Sequence, residues 1–259
     1  MILIGEKLNS SIPKTMEAFQ QRDEAFVTGL ITAQGKNSDY LDINTAMCSD
    51  EMETMKWVIG LALEHSKTGI MIDSANPSVM KEAVGWVEGR DIILNSLTLT
   101  QRFEEVSSLA VEYGCKVVAL PIDDEGIPES AEKRVENAVQ LVEQLKTKGI
   151  REEDIFLDVL AETLAVQDQS AQVMLKTISA LRGKYQDLHL TCGLSNASFG
   201  LPMRKKINEA LLIAAMTAGL DSAICDTASD DLILTSSIGE ILCGMDEYCM
   251  NFISKVKNS

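Results

Sequence analysis

Four side chains that end in a carboxylate or an amide stand at or just past the ends of short apolar runs: Asp73, Asn95, Asp158 and Asn196. A carboxylate accepts hydrogen bonds from paired N–H groups, while an amide both donates and accepts. Brought together, such groups suit a flat heterocycle with ring N–H donors and an exocyclic amine beside a carbonyl. A guanidine-like ring edge would rest on the carboxylates, and the amides would fix its orientation. Asp and Asn are also common helix caps and turn formers, so any one of them alone says little. Their recurrence at equivalent places in four runs favours a shared site.

Other chemistry has less support. The chain has two histidines, His65 in a helical stretch and His189 at a strand start, without metal-ligand spacing. Asp42, Asp73 and Asp158 could form a hard-cation site, but no motif supports one, and no metal is expected. No Ser or Cys has a candidate His base, and neither a phosphate loop nor a dinucleotide fingerprint is present. Catalysis by positioning and hydrogen bonding fits such a chain best.

The elements that must carry these residues can be read from the runs. Eight apolar segments end in a polar or turn residue, with ends at Glu6, Asp42, Asp73, Asn95, Pro121, Asp158, Asn196 and Asp226. Successive ends lie between 22 residues (Asp73 to Asn95) and 38 residues (Asp158 to Asn196) apart. A strand-helix-strand unit takes roughly 30 residues. Continuous apolar runs mark strands buried on both faces, as in a parallel sheet. The pattern predicts a (β/α)8 TIM barrel, a fold of about 250 residues whose active sites gather at the C-terminal strand ends. The 259 residues are read as a single domain, 1–259.

Helices fill the gaps. Ser49-Asp50 can cap one through Met52, Met55, Val58 and Leu61, and Thr100 can cap another through Phe103, Val106 and Leu109. Glu132 to Lys148 carries apolar residues at helical spacing, and Asp230 to Val256 reads as one long or broken helix. Gly5, Gly126, Gly193 and Gly200 are expected at chain reversals or close approaches.

A net charge of −16 argues against nucleic acid as a partner, since phosphate binding needs clustered cations. A few basic residues could still hold an anionic substrate tail. Six cysteines without a dense framework suit reduced thiols. No run approaches the roughly 20 apolar residues of a membrane helix. Met1 opens directly onto a strand, so no targeting segment is expected. The expectation is a cytoplasmic protein with no membrane association.

From Gly193 to Arg204 the chain reads Gly-Leu-Ser-Asn-Ala-Ser-Phe-Gly-Leu-Pro-Met-Arg. Together with Gly5-Glu6-Lys7-Leu8-Asn9, Leu41-Asp42-Ile43-Asn44, Ile72-Asp73-Ser74, Leu94-Asn95-Ser96 and Leu157-Asp158, this resembles the pterin-binding methyltransferases. That family moves a methyl group between tetrahydrofolate and a protein-bound corrinoid. The resemblance spans the whole chain in order and implies a pterin-binding barrel. It implies that Asp73, Asn95, Asp158 and Ser195 hold the pterin, and that Asn196 also touches it and acts catalytically at N5. Arg204 would approach the aminobenzoate or glutamate tail. Glu6, Asn9, Asp42 and Asn44 would orient the groups that touch the ring. As cobalt(I) attacks the methyl carbon, electron density builds on N5, where an aimed donor stabilises it.

The resemblance has departures. Val159 follows Asp158 where relatives often have Pro, and Phe199 replaces a polar amide found in a relative. The chain lacks Asp-x-His-x-x-Gly, the corrinoid-carrying signature, so the resemblance implies a corrinoid brought by a partner protein. It also implies a homodimer. Tetrahydrofolate or 5-methyltetrahydrofolate would be the substrate, with the direction of transfer left open. Dihydropteroate synthase shares the barrel and pocket, but it carries an Arg-Lys pair where Asn196-Ala197 stands here. A pterin-binding subunit without catalysis is the other alternative, disfavoured because pterin binding alone needs no donor at N5.

Overall fold

In the computed structural model, residues 1–257 are described. Eight parallel strands form one sheet in the order β7-β6-β5-β4-β3-β2-β1-β8. They are β1 (Ile2–Asn9), β2 (Tyr40–Asn44), β3 (Gly69–Asp73), β4 (Ile92–Thr98), β5 (Lys116–Leu120), β6 (Ile155–Asp158), β7 (His189–Thr191) and β8 (Ser222–Cys225). Seven neighbouring pairs form ladders. The eighth seam, β7 to β8, has only the bridge between Gly193 and Ile224 and two hydrogen bonds, Ile224 N to Cys192 O at 2.9 Å and Asp221 N to Leu190 O at 3.4 Å. The sheet is thus a nearly closed (β/α)8 barrel.

Helices cover the outside: α1 (Pro13–Gln21), α2 (Glu24–Gly35), α3 (Glu51–His65), α4 (Pro77–Val84), α5 (Phe103–Tyr113), α6 (Ala131–Thr147), α7 (Ser170–Arg182), α8 (Arg204–Ala218), α9 (Asp230–Leu242) and α10 (Met250–Lys257). Asp50 caps α3 by accepting from Glu53 N, and Ser130 caps α6 by accepting from Lys133 N, which removes orphan donors from their first turns. The cap expected from Thr100 is not formed. Helix α5 starts at Phe103 behind Arg102 in the left-handed region, while the Thr98 hydroxyl accepts from the intervening Gln101 N. The C-terminal segment is broken at Gly244, which sits at φ +71, between α9 and α10.

Strand β1 runs on to Asn9, so Gly5 lies inside a strand and not at a reversal. A side chain there would meet Gln34 and the Thr227 hydroxyl at 3.0 Å, so the position demands glycine for close packing. Gly126 and Gly200, at φ +101 and +76, do sit at reversals.

Side chains alternate faces along a strand. Ile4, Tyr40, Met71, Ile93, Val118 and Phe156 point into the barrel as a buried plug. Tyr40 meets Phe156 edge-on with centroids 6.4 Å apart, and His189 lies 4.6 Å from the other side of Phe156. His189 Nδ1 pairs with Asp221 Oδ2 at 2.8 Å, and Arg182 ties Gly219 O to Asp221 Oδ1, each at 3.0 Å. These contacts fasten the N-terminal end of the weak seam.

Candidate active site

Two residues past the plug on five strands stand Glu6, Asp42, Asp73, Asn95 and Asp158. The period of two that sends Ile4, Tyr40, Met71, Ile93 and Phe156 inward sends these polar residues to the same axis, one layer higher. Strand register also aligns Asn44 with Asp73, and Asp73 with Asn95, in one row across three strands. Above this layer opens a cavity of about 530 Å³. Its wall includes Asp73, Asn95, Asp158, Ser195, Asn196 and Arg204, so the expected pterin and tail residues all converge there. Glu6, Asn9 and Asp42 line the cavity themselves, whereas Asn44 stands behind Asp73 and donates to its Oδ2 at 2.7 Å.

The carboxylates are held in unlike ways. Burial pushes Asp73 up to about 6, against the opposing Asn44 amide and Arg102. Burial also carries Asp158 up to about 6, opposed by the Leu160 N–H, at 2.7 Å from Oδ1, and by Arg134. Asp42 is raised well above the carboxylate range by burial and then by the neighbouring charge of Asp73, although the Asn95 amide opposes this. Its Oδ1 is buried without a partner among the described residues. Near neutrality the three aspartates of the layer therefore offer two acceptors able to ionise and one carboxyl held back toward its neutral form.

The remaining wall comes from the chain after β7. Ser195 Oγ donates to Glu6 Oε1 at 2.9 Å, tying this loop to β1. Asn196 lies in a 3-10 turn, Leu194–Asn196, and its side-chain amide folds back over Gly193. A Cβ on Gly193 would come within 2.8 Å of Asn196 Nδ2. At an ordinary φ of −73, glycine thus leaves room for the Asn196 amide, which a larger residue would displace. Arg204 spans the same loop, donating from Nη2 to Ser195 O at 2.9 Å and from Nε to Ser198 Oγ at 3.2 Å. Its guanidinium lies 5.8 Å from the centre of the exposed Phe199 ring.

Two charged residues escaped the sequence reading. Lys7 joins the cavity wall and pairs with Glu6 at 2.9 Å and Asp226 at 3.3 Å. Burial alone would lower its ammonium, but the two carboxylates outweigh it and hold it above its usual value. The Glu6-Lys7 pair in a strand was the available signal. Arg134 is fully buried beneath the loop after β6. It shares the inward stripe of α6 with Ala138, Leu141 and Leu145, a charge at an apolar position of the helical period. Among the described residues, no group of three or more His, Cys, Asp or Glu could hold a metal ion, and no helix is long and apolar enough to cross a membrane.

A barrel mouth of this kind has known counterparts. Residues 31–226 match the family described as pterin binding enzyme, and the chain belongs to that family. Among individual relatives, it is 32% identical over 262 residues to the methylcorrinoid:tetrahydrofolate methyltransferase of Eubacterium limosum, covering 97% of this chain and 94% of that one. Methionine synthase of Mycobacterium tuberculosis is 32% identical over 240 residues, covering 86% of this chain, which spans 20% of that longer protein. The fold is similar to that of a dihydropteroate synthase from Coxiella burnetii solved with pteroic acid, at a TM-score of 0.70, 18% identity and coverage of 95% and 93% of the two chains. A Yersinia pestis dihydropteroate synthase gives a TM-score of 0.66 at 15% identity, with 94% of each chain covered. At such identities the structural likeness concerns the barrel alone.

Proposed function

We propose that this protein transfers a methyl group between the cobalt of a corrinoid and N5 of tetrahydrofolate. The observation that carries the reading is the end-to-end match with the Eubacterium limosum methyltransferase, whose name joins those two substrates. The cavity supports it chemically. Asp73 and Asp158 supply acceptors for the N–H edge of a pterin, and Asn95 and Ser195 add polar contacts that set the ring's orientation. Arg204, at the rim, takes the aminobenzoate or glutamate tail. Glu6, Asn9, Asp42 and Asn44 orient these groups.

Asn196 is assigned the N5 side and the catalytic role. When cobalt(I) attacks 5-methyltetrahydrofolate, the cobalt–carbon bond forms with cobalt's electron pair, the N5–carbon bond breaks with its pair staying on N5, and a proton from solvent completes the N5–H of tetrahydrofolate. An amide donor already aimed at N5 stabilises that charge without reorganisation. In reverse, N5 attacks the cobalt-bound methyl, cobalt(I) leaves with the electron pair, and the N5 proton is released to solvent. Both directions share one transition state, so the same residues serve both. Asn196 and Ala197 stand where the synthases carry two cations, which favours methyl transfer over departure of a pyrophosphate.

The corrinoid arrives on a partner protein. Exposed Met47, Ile127, Val166, Phe199 and Met203, on the loops after β2, β5, β6 and β7, give the mouth an apolar rim for that encounter. The 259 residues act as one pterin-binding barrel, paired as a homodimer in the cytoplasm. Exposed Leu234, Ile238 and Leu242 on α9 offer apolar surface for pairing.

The test mixes the protein with tetrahydrofolate and methylcobalamin, and separately with 5-methyltetrahydrofolate and reduced cobalamin, while the cobalt absorbance is followed. Methyl transfer in at least one direction is expected. Tetrahydrofolate binding without transfer either way would replace this reading with a non-catalytic pterin-binding subunit.

A further inference from the structure

Arg134 has the largest fully buried side chain among the described residues. Burying a guanidinium is expensive, and an apolar side chain of similar volume often serves packing as well or better. Its donors are all directed at the loops after β5 and β6, the second of which follows directly on Asp158. Nε donates to Pro128 O at 2.8 Å in the loop after β5. Nη1 donates to Leu160 O at 2.7 Å and to Val159 O at 3.3 Å in the loop after β6, and Nη2 pairs with the Glu162 carboxylate. Leu160 sits at φ +59, a left-handed conformation that an aliphatic side chain rarely adopts. That residue is pinned at both ends, its C=O by Arg134 and its N–H by Asp158 Oδ1 at 2.7 Å.

The Val159–Leu160 peptide joins these contacts in series. The guanidinium donates to its carbonyl, and its N–H donates to the carboxylate of Asp158. Hydrogen bonds in series polarise one another, so positive charge at one end strengthens donation at the other. Arg134 is also among the charges that favour ionised Asp158. The other titratable neighbours oppose this or are already committed. The Cys192 thiol just past β7 is itself pushed up by burial and then by Asp158, Glu162 is paired with Arg134, and Asp42 and Asp73 lie across the same cavity.

We propose that Arg134 is the positioning residue for Asp158, acting through the Val159–Leu160 peptide to aim its carboxylate into the cavity and to keep it an anion. The inference rests on Asp158 being a pterin-facing acceptor, and it explains why a charge is buried in α6. Without it, the carboxylate would face the ligand partly neutral, with its loop unfastened.

The experiment titrates the Asp158 carboxyl by carbon-13 NMR in the ligand-free protein, its signal identified by loss in Asp158→Asn. Arg134→Met is expected to raise the midpoint by up to about one pH unit, less than a directly paired arginine would give, because the charge acts through a peptide. Glu162→Gln, which frees the guanidinium from its counter-charge, is expected to lower it. Opposite signs would not arise from loosened packing, and Glu162→Gln carries the test alone if Arg134→Met fails to fold. An unmoved midpoint in the folded variants overturns the proposal. Calorimetry with tetrahydrofolate adds the functional arm. Affinity of Arg134→Met should fall by up to roughly twofold at pH 7 and recover at higher pH. Shifted midpoints with no tetrahydrofolate binding by the unaltered protein overturn instead the pterin reading, and with it the purpose assigned to the coupling.

Discussion

Replacing Asp158 with Asn should make the ligand-free protein more stable while weakening its grip on folate. Asp158 moves from an ordinary carboxylate value of 3.8 to about 6, chiefly through burial. A shift of one unit corresponds to about 1.4 kcal/mol between protonation states, so the folded protein carries a penalty on the order of 3 kcal/mol above pH 6. The sign follows from proton counting. A raised folded value means that the folded state holds the proton between about pH 4 and 6 while the unfolded chain releases it. Stability from this group therefore falls as pH climbs through that window and stays level above it. The substituted amide is neutral at every pH and can still accept from the Leu160 N–H. Urea unfolding should show Asp158→Asn stabilised by about 2–3 kcal/mol at pH 8, but by only about 1 kcal/mol at pH 4.5. For a chain of this size the melting temperature would rise by about 4–12 °C at pH 8. Calorimetry on the same preparations should show at least tenfold weaker tetrahydrofolate binding, from the lost charged acceptor. A variant no more stable at pH 8, or equally stabilised at both pH values, would refute the electrostatic reasoning.

Asn44→Ala removes the amide 2.7 Å from Asp73 and should move that carboxyl's midpoint above about 6. The pH profile of tetrahydrofolate affinity should shift upward with it, and an unmoved profile would leave Asn44 without influence on the site. Asn196→Ala should raise the methyl-transfer barrier by about 2–4 kcal/mol, the cost of one preorganised donor. Single-turnover cobalt absorbance reads this, and an unchanged rate excludes Asn196 from the mechanism. Phe156→Ala, in the barrel plug, should cost about 3–5 kcal/mol in urea unfolding, and a loss under about 1 kcal/mol would mean the plug had closed around the gap.

The polar layer was legible because a strand imposes a period of two. Ile4-x-Glu6, Tyr40-x-Asp42, Met71-x-Asp73, Ile93-x-Asn95 and Phe156-x-Asp158 each place an apolar residue below a polar one on the same inward face. Strand order and helical gaps were readable for the same reason, since apolar runs and caps are local signals. Three features were not. Strand β1 outlasts its apolar run because Gly5 is needed against Gln34, a contact 29 residues away in sequence. The start of α5 depends on Arg102 adopting a left-handed conformation, which a cap-based reading has no reason to assign to arginine. Arg134 gave no local signal of its role, because its partners Val159, Leu160 and Glu162 belong to a distant loop. In each case long-range packing overrode a local cue.

The slack junction between β7 and β8 divides the mouth mechanically. Seven laced seams join the eight staves and hold Asp73, Asn95 and Asp158 in fixed register. The remaining edge of β7 hangs on its neighbour by one bridge, and the turn bearing Asn196 springs from just above it. Breathing is cheapest where backbone lacing is thinnest. The laced wall thus fixes Asp73, Asn95 and Asp158 relative to one another, and backbone movement is concentrated at the turn bearing Asn196.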